Sequence, residues 1–104
     1  MQQAIFNAIA DPTRRQLMSW LATRPATATE LSERLPITRQ AITKHLAVLD
    51  EARLIAKERD GRDVRYHLEA ERLAAVSAWV ATISARWQAR LERLKKYLEE
   101  GERG

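Results

Sequence analysis

The sequence contains no cysteine among its 104 residues. A disulfide framework, a thiolate metal site and a thiol redox switch are therefore excluded within this chain. No apolar run approaches the ~20 residues that a membrane-spanning helix needs. The amino terminus also lacks the basic region followed by an apolar stretch that marks a signal peptide. These absences predict a soluble, cytoplasmic protein.

Glycine and proline are scarce, with three residues of each, whereas hydrophobic residues make up 45% of the chain. This composition is typical of a folded, mainly helical domain rather than a disordered segment, and the length predicts one domain over residues 1–104. Basic residues outnumber acidic ones by 18 to 14, which gives a net charge of +4. The excess is spread along the chain, so any basic surface for a polyanion must come from the arrangement of the residues.

The segment from Thr38 to Leu49 predicts a helix with one apolar and one cationic face. At helical spacing Ile42, Leu46 and Leu49 fall on the side that packs, and no acidic residue occurs in the segment. Guanidinium, ammonium, amide and hydroxyl groups on the other side suit the phosphates and base edges of a DNA major groove. We therefore expect DNA contacts from five residues: Thr38, Arg39, Gln40, Thr43 and Lys44.

These residues are expected to have different roles. Gln40 and Thr43 are the candidates for base contacts, although in an isolated helix both would be ordinary solvent-facing residues. Arg39 and Lys44 are interpreted as phosphate clamps, and Thr38 as a helix cap that also meets a phosphate. His45 lies on the packed flank, where a hydrogen bond within the protein is favoured over a role as a ligand.

Three short helices are predicted before this segment. The first covers residues 2–9, and the second begins at Asp11-Pro12, where aspartate caps the helix and proline costs no helical hydrogen bond. A third helix is expected at about residues 28–35. It is opened by a capping box formed by Thr27 and Glu30. The third helix, a short turn and the cationic helix predict a helix-turn-helix over residues 28–52.

Residues 54–59 and 64–68 predict two strands around an Asp-Gly turn signal, and hence a β-hairpin. In the second strand Val64 and Tyr66 alternate with Arg65 and His67, so we expect one face to pack and the other to be basic. The hairpin is interpreted as a wing. We expect Arg62 at its tip to enter a minor groove and its other cations to contact phosphates. A solvated hairpin is the alternative. The wing residues expected to contact DNA are Lys57, Arg59, Arg62 and Arg65.

An apolar repeat at steps of three and four residues begins in the last third of the chain. One continuous helix from Glu71 to Leu98 would be roughly 42 Å long, more than the ~30 Å diameter of a small domain, so part of it would need a partner. The alternative is a helix that breaks near Ser84 and folds back. Trp79 and Trp87 in this segment are interpreted as packing residues rather than as the lining of a ligand cavity. The expected partner surface comprises Ile5, Phe6, Ile9, Val76, Trp79, Val80, Ile83, Trp87, Leu91 and Leu94.

Six short stretches of the sequence form a specific set when they are taken together. They are Asp11-Pro12-Thr13-Arg14-Arg15, Thr43-Lys44-His45-Leu46, Val48-Leu49, Leu54-Ile55, Gly61-Arg62 and Tyr66. In these residues the sequence, from about Ile5 to Leu68, closely resembles the ArsR family of bacterial winged helix-turn-helix regulators. The resemblance implies a homodimer, paired through terminal helices at residues 1–10 and 69–104, with a wing at 54–68. It also implies binding of an inverted-repeat operator in double-stranded DNA, usually with repression of transcription.

Two departures from the family pattern affect the prediction. Many members bind metals through cysteines in the third helix or through histidine and carboxylate sets in the last helix. Here neither set is present, since the chain has no cysteine and no histidine follows His67. We therefore expect no metal and no cofactor.

The second departure is Arg53, at a position where the family commonly has glycine. If this position has a positive φ, arginine costs ~1 kcal/mol in strain.

The sequence predicts a mainly α fold with a small β-hairpin, arranged as a winged helix-turn-helix with a long C-terminal dimerisation helix. The leading hypothesis is a dimeric, sequence-specific transcriptional repressor, and the alternative is a winged-helix protein-interaction module without sequence-specific DNA binding. Catalysis is not expected, because only His45 and His67 could act as bases at neutral pH and neither has a nucleophile motif or a paired carboxylate around it. The sequence identifies no small-molecule inducer.

Overall fold

Eight elements follow one another in the computed structural model, which describes residues 2–103. Most of them are helices, with a small antiparallel sheet, as the composition predicts. The chain divides into two units, with the boundary between Arg72 and Leu73. The elements are α1 (Gln2–Ile9), α2 (Pro12–Thr23), β1 (Ala26–Thr27), α3 (Ala28–Ser32), α4 (Arg39–Glu51), β2 (Ile55–Asp60), β3 (Asp63–Leu68) and α5 (Ala70–Arg103).

The starts of α2 and α4 are fixed by side-chain caps. The Asp11 carboxylate accepts hydrogen bonds from the N–H groups of Thr13 at 2.7 Å and Arg14 at 3.2 Å. The Thr38 hydroxyl oxygen accepts one from the N–H of Ala41 at 3.1 Å. These N–H groups have no partner within their own helix, so each cap satisfies donors that would otherwise be left free. Both predicted caps are confirmed.

The capping box of α3 is also confirmed, but the helix is shorter than predicted. The hydrogen bonds from Thr27 N–H to the Glu30 carboxylate and from Glu30 N–H to the Thr27 hydroxyl are both 3.1 Å long. The helix then ends at Ser32 instead of residue 35. Pro36 disfavours helical backbone angles at the residue before it. The Ser32 hydroxyl also donates to a carbonyl of α3 at 2.8 Å, a local bond that competes with helix continuation.

The sheet has three antiparallel strands in the order β1-β3-β2. The β2–β3 hairpin was predicted, and its ladder closes at the pair Asp60 and Asp63. Gly61, the first of the two loop residues, has φ 64°, which glycine adopts without strain. Strand β1 was not predicted, because two residues are too short for an alternating pattern and their partners, Tyr66 and Arg65, lie far along the chain.

The apolar core of the first unit lies between its helices and the start of the hairpin. Ile5 in α1 belongs to this core, with only 4% of its surface exposed. The expectation that Ile5 lies on a partner surface was therefore wrong, because its side chain is already buried in its own chain. Phe6 and Ile9 are half-buried. The fully buried large side chains are Leu17, Leu31, Ile42, Leu46, Leu49, Leu54 and Ile55.

Helix α5 runs without a break from Ala70 to Arg103. Its 34 residues give a length of about 51 Å at 1.5 Å per residue. The alternative of a break near Ser84 was therefore wrong. Nowhere in residues 2–103 does a helix combine the length and apolarity needed to cross a membrane. The apolar residues that α5 leaves exposed are Trp79, Val80, Ile83, Trp87, Leu91, Leu94, Tyr97 and Leu98, and Val76 is half-buried.

Candidate nucleic-acid interface

Helix α4 has a buried apolar face and an exposed polar face. Ile42, Leu46 and Leu49 have no exposed surface, so the helix is held firmly along one side. Thr38 at the cap and four residues on the opposite side are exposed, and no acidic side chain lies among them. The arrangement presents two cations, an amide and a hydroxyl to solvent. The four residues that line the open groove on this side are Arg39, Gln40, Thr43 and Lys44.

The two uncharged groups of this face differ in what they can offer a base. The Thr43 hydroxyl donates to the Arg39 carbonyl at 2.9 Å, so its proton is used within the helix. Its oxygen can still accept a hydrogen bond, and its methyl group can contact a thymine methyl. The side chain of Gln40 makes no hydrogen bond to any described residue and is exposed. Its amide is therefore free for the bidentate contact that adenine offers.

The cations of the wing lie on two different faces of the hairpin. Lys57 pairs across the ladder with Tyr66, and Arg59 pairs with Val64, so these two cations share one face. The Lys57 ammonium is 3.9 Å from the Asp50 carboxylate, but 60% of its side chain is exposed, and a pair so exposed contributes little. Arg59 is exposed on the same face, and Arg62 is exposed at the tip.

Arg65 lies on the other face and is surrounded by acids. Its guanidinium is 3.4 Å from the Glu30 carboxylate of α3 and 3.4 Å from the Asp60 carboxylate of the wing. Glu58 faces it across the ladder. His67, on the same face, lies 3.2 Å from the carboxylate of Glu69. The prediction of a basic face formed by Arg65 and His67 was therefore wrong, because each is next to an acidic group.

The hydrogen bonds of the capping box lower the pKa of Glu30. The N–H of Thr27 is the largest cause, followed by the Thr27 hydroxyl, and the positive charges of Arg65 and Arg24 add to the effect. Partial burial acts in the opposite direction but is outweighed. The carboxylate form of Glu30, which is the form that pairs with Arg65, is thus favoured.

Arg14 and Arg15, in the first turn of α2, have a structural role. Arg14 donates from Nε to the Ala8 carbonyl at 2.6 Å and from Nη2 to the Asn7 carbonyl at 2.9 Å. Arg15 donates from Nη1 to the carbonyls of Ile9 and Ala10, at 2.7 and 3.0 Å. The last carbonyls of a helix have no partner within it, so this pair caps α1. The sequence signal that could have indicated this cap is that no glycine follows α1, so its last carbonyls need other donors.

The side chain of Asp11 joins the same cluster. Partial burial raises the pKa of this carboxyl, but hydrogen bonds from the N–H groups of Arg14 and Thr13 outweigh it. The charges of His45 and Arg14 act in the same direction, so the pKa lies below its usual value. The Asp11 carboxylate is 3.8 Å from the Arg14 guanidinium. The matching residues at the start of α2 therefore connect the helix-turn-helix to α1 and do not contact the groove beside α4.

Comparisons with known proteins agree with this arrangement. Residues 9–58 match the family described as "Helix-turn-helix domain". The chain is 33% identical to the transcriptional repressor SdpR of Bacillus subtilis (strain 168) over 76 residues, which cover 73% of this chain and 84% of that protein. It is 39% identical to the HTH-type transcriptional regulator Rv2034 of Mycobacterium tuberculosis over 71 residues, which cover 68% of this chain and 66% of that protein.

A solved structure is similar over nearly the whole chain. The ArsR-like transcriptional regulator from Rhodococcus sp. RHA1 is 33% identical, with a TM-score of 0.78, and the match covers 94% of this chain and 90% of that one. On the fold, the exposed face of α4 and these similarities, the chain belongs to the ArsR family of winged helix-turn-helix transcriptional regulators.

Proposed function

We propose that this DNA-binding regulator acts as a homodimer that binds an inverted-repeat operator and represses transcription. The observation that carries the proposal is the exposed, acid-free face of α4, opposite a face that is fully buried. A helix held in this way can enter a major groove without losing its packing. The relative SdpR, which is named as a transcriptional repressor, supports repression rather than activation.

Within the operator, Gln40 and Thr43 read bases, while Arg39 and Lys44 contact phosphates at the edges of the groove. The exposed face of the wing adds Lys57 and Arg59 as phosphate contacts, and Arg62 at the tip enters the adjacent minor groove. Thr38 and the first N–H groups of α4 meet another phosphate. Arg65 is omitted from the proposed contacts, because Glu30 and Asp60 already compensate its charge.

The homodimer is supported by the apolar residues that α5 exposes. Trp79, Val80, Ile83 and Trp87 are each between 44% and 55% exposed, and they follow one another at helical spacing. A continuous apolar surface of this kind is rare on a monomer and is typical of a protein interface. In the proposed dimer these residues pair with a second copy of α5, together with Phe6 and Ile9 of α1. A two-fold axis would then place the two α4 helices in major grooves about 34 Å apart.

Selection of bound duplexes from a random pool would test the proposal, followed by affinity measurements on the preferred and on a random duplex. We expect Gln40→Ala to lose roughly 1–3 kcal/mol on the preferred duplex only, because it removes a base contact. Arg62→Ala should weaken binding to both duplexes and lower the salt slope by about one. Gln16→Ala, at an exposed glutamine of α2, is the matched control.

An equal loss on both duplexes from Gln40→Ala would contradict base reading by this residue. A selected site without two-fold symmetry would contradict the inverted-repeat operator. If the protein retards no duplex even at low salt, where basic domains bind DNA well, the function would instead be that of a protein-interaction module with a winged-helix fold.

A further inference from the structure

The Arg14 side chain, in α2, contacts two other helices of the first unit, α1 and α4. Its own helix, α2, is capped by Asp11, whose carboxylate is 3.8 Å from the guanidinium. Two of the guanidinium nitrogens donate to carbonyls of α1, at 2.6 and 2.9 Å. The remaining nitrogen, Nη1, lies 3.4 Å from Nδ1 of His45 in α4. Only 16% of the Arg14 side chain is exposed.

His45 lies on the flank of α4, between an outward residue and a buried one. Lys44 before it is exposed in the groove, and Leu46 after it is fully buried. A guanidinium can only donate, so this contact is a hydrogen bond when the ring is neutral, with its proton on Nε2 and Nδ1 as the acceptor. A hydrogen bond to this ring therefore depends on the rotation of α4 about its axis, and it adds a directional contact to the packing of the buried side chains.

We propose that the contact between Arg14 and His45 fixes the direction of α4 relative to α1 and thereby sets the spacing of half-sites that the dimer accepts. This inference rests on the proposed function, in which α1 takes part in the dimer and α4 reads DNA. The guanidinium is planar and its N–H groups point in fixed directions. Because two nitrogens of the guanidinium are held by carbonyls of α1, the contact of the third with His45 links the orientation of α4 to that of α1.

Arg15 provides a matched control for this contact. It also donates two hydrogen bonds to carbonyls at the end of α1, at 2.7 and 3.0 Å. Its side chain is exposed and, among the described residues, makes no hydrogen bond to α4. A substitution at Arg15 therefore perturbs the cap of α1 without touching the recognition helix, whereas a substitution at His45 does the reverse.

The first experiment measures binding to the selected operator and to duplexes with one base pair added or removed between the half-sites. His45→Phe keeps a ring of similar size but removes the acceptor, and His45→Asn keeps an acceptor near the position of Nδ1. We expect the preference for the selected spacing to fall about fivefold in His45→Phe, the factor that one hydrogen bond typically contributes. His45→Asn and Arg15→Gln should retain the preference.

Loss of stability in His45→Phe with an unchanged spacing preference would overturn the inference, because the contact would then be only structural. An equal fall in Arg15→Gln would also overturn it, since the effect would come from the cap of α1.

A second experiment does not depend on DNA, and so separates failure of this inference from failure of the proposed function. Residual dipolar couplings in the free protein give the angle between α1 and α4, and ¹⁵N shifts give the tautomer of His45. We expect the wild-type ring to carry its proton on Nε2 and the angle to change in His45→Phe but not in Arg15→Gln. A proton on Nδ1, or an angle unchanged in His45→Phe, would overturn the inference whether or not an operator exists.

Discussion

At the scale of single residues, Arg53 has the backbone conformation least suited to its side chain. Its φ is 60°, and among residues 2–103 no other non-glycine residue has a positive φ. The residue ends α4 in a Schellman motif: Arg53 N–H bonds to the Asp50 carbonyl and Leu54 N–H to the Leu49 carbonyl, both at 3.0 Å. Leu49 and Leu54 are fully buried, so the turn cannot relax without disturbing the core. The condition under which the sequence predicts strain at Arg53, a positive φ, is therefore met.

We expect Arg53→Gly to raise the free energy of unfolding by about 1 kcal/mol, because glycine adopts this φ without a steric penalty. Urea denaturation followed by circular dichroism would measure the change. Ala52→Gly is the neighbouring control, since Ala52 has φ −77°. Glycine there relieves no strain, adds chain entropy to the unfolded state and removes a buried methyl group. This control should lose stability. An unchanged or lower stability in Arg53→Gly would contradict the assignment of strain.

At the scale of elements, the helix starts could be predicted because each depends on contacts within three residues. The caps of Asp11, Thr38 and the Thr27–Glu30 box all have this local character. The outward face of α4 could be predicted for a similar reason, since helical spacing alone places its apolar residues on one side. The exposed side of α4 was therefore predictable from the sequence alone, and its role in reading DNA stays a prediction.

The features that were missed depend on residues far apart in the chain. Strand β1 pairs with β3, and Arg65 meets Glu30 from 35 positions away. The alternating pattern of one strand does not show which residues of other elements lie beside it, so Arg65 was predicted to contact DNA from its charge alone. A hydrogen bond of His45 within the protein was predicted, but its partner Arg14, 31 positions away, was not. The burial of Ile5 was missed as well, because amphipathic spacing does not show which neighbour an apolar side chain packs against.

Arg59 is exposed on one face of the wing, whereas Arg65 lies beside two acidic side chains on the other face, and this difference can be tested. We expect Arg59→Ala to reduce the salt slope of DNA binding by about one, because an exposed cation on the open face releases one counterion. Arg65→Ala should leave the slope unchanged, since Glu30 and Asp60 compensate its charge. Fluorescence anisotropy on a random duplex at several salt concentrations would measure both slopes. A reduction by one in Arg65→Ala would show that Arg65 leaves its acids and contacts a phosphate.

At the scale of the whole molecule, the two units differ in burial: the first contains the packed core, and the second is a helix with exposed apolar side chains. The first unit buries the side chains that hold α4 in place. In the second unit α5 leaves eight large apolar residues at least 39% exposed, which is unfavourable in water. Burial of this surface against a second copy would remove that cost and would bring two reading helices to one duplex. The exposed face of α4 and the exposed stripe of α5 therefore belong to one proposed mechanism.

Ile83→Glu tests the proposed role of α5 in assembly. Ile83 is 44% exposed within the stripe, and glutamate is a good helix former, so the helix itself should persist. In the dimer the new carboxylate would be buried without a partner, which costs several kcal/mol. We therefore expect the dimer Kd, measured by sedimentation equilibrium, to rise at least about a hundredfold. The affinity for the full operator should fall with it, because each half-site would then be bound independently.

Ala85→Glu is the control for this change in charge, because at about 100° per residue Ala85 lies on the side of α5 opposite Ile83. Ala85 is exposed, and we expect its variant to keep the wild-type Kd. Circular dichroism of both variants would show that helix content is retained, so that a change in mass reports assembly and not unfolding. If Ile83→Glu stays as dimeric as Ala85→Glu, the stripe is not the interface. If the wild type itself sediments as a monomer at micromolar concentration, the mechanism cannot use two copies to read one operator.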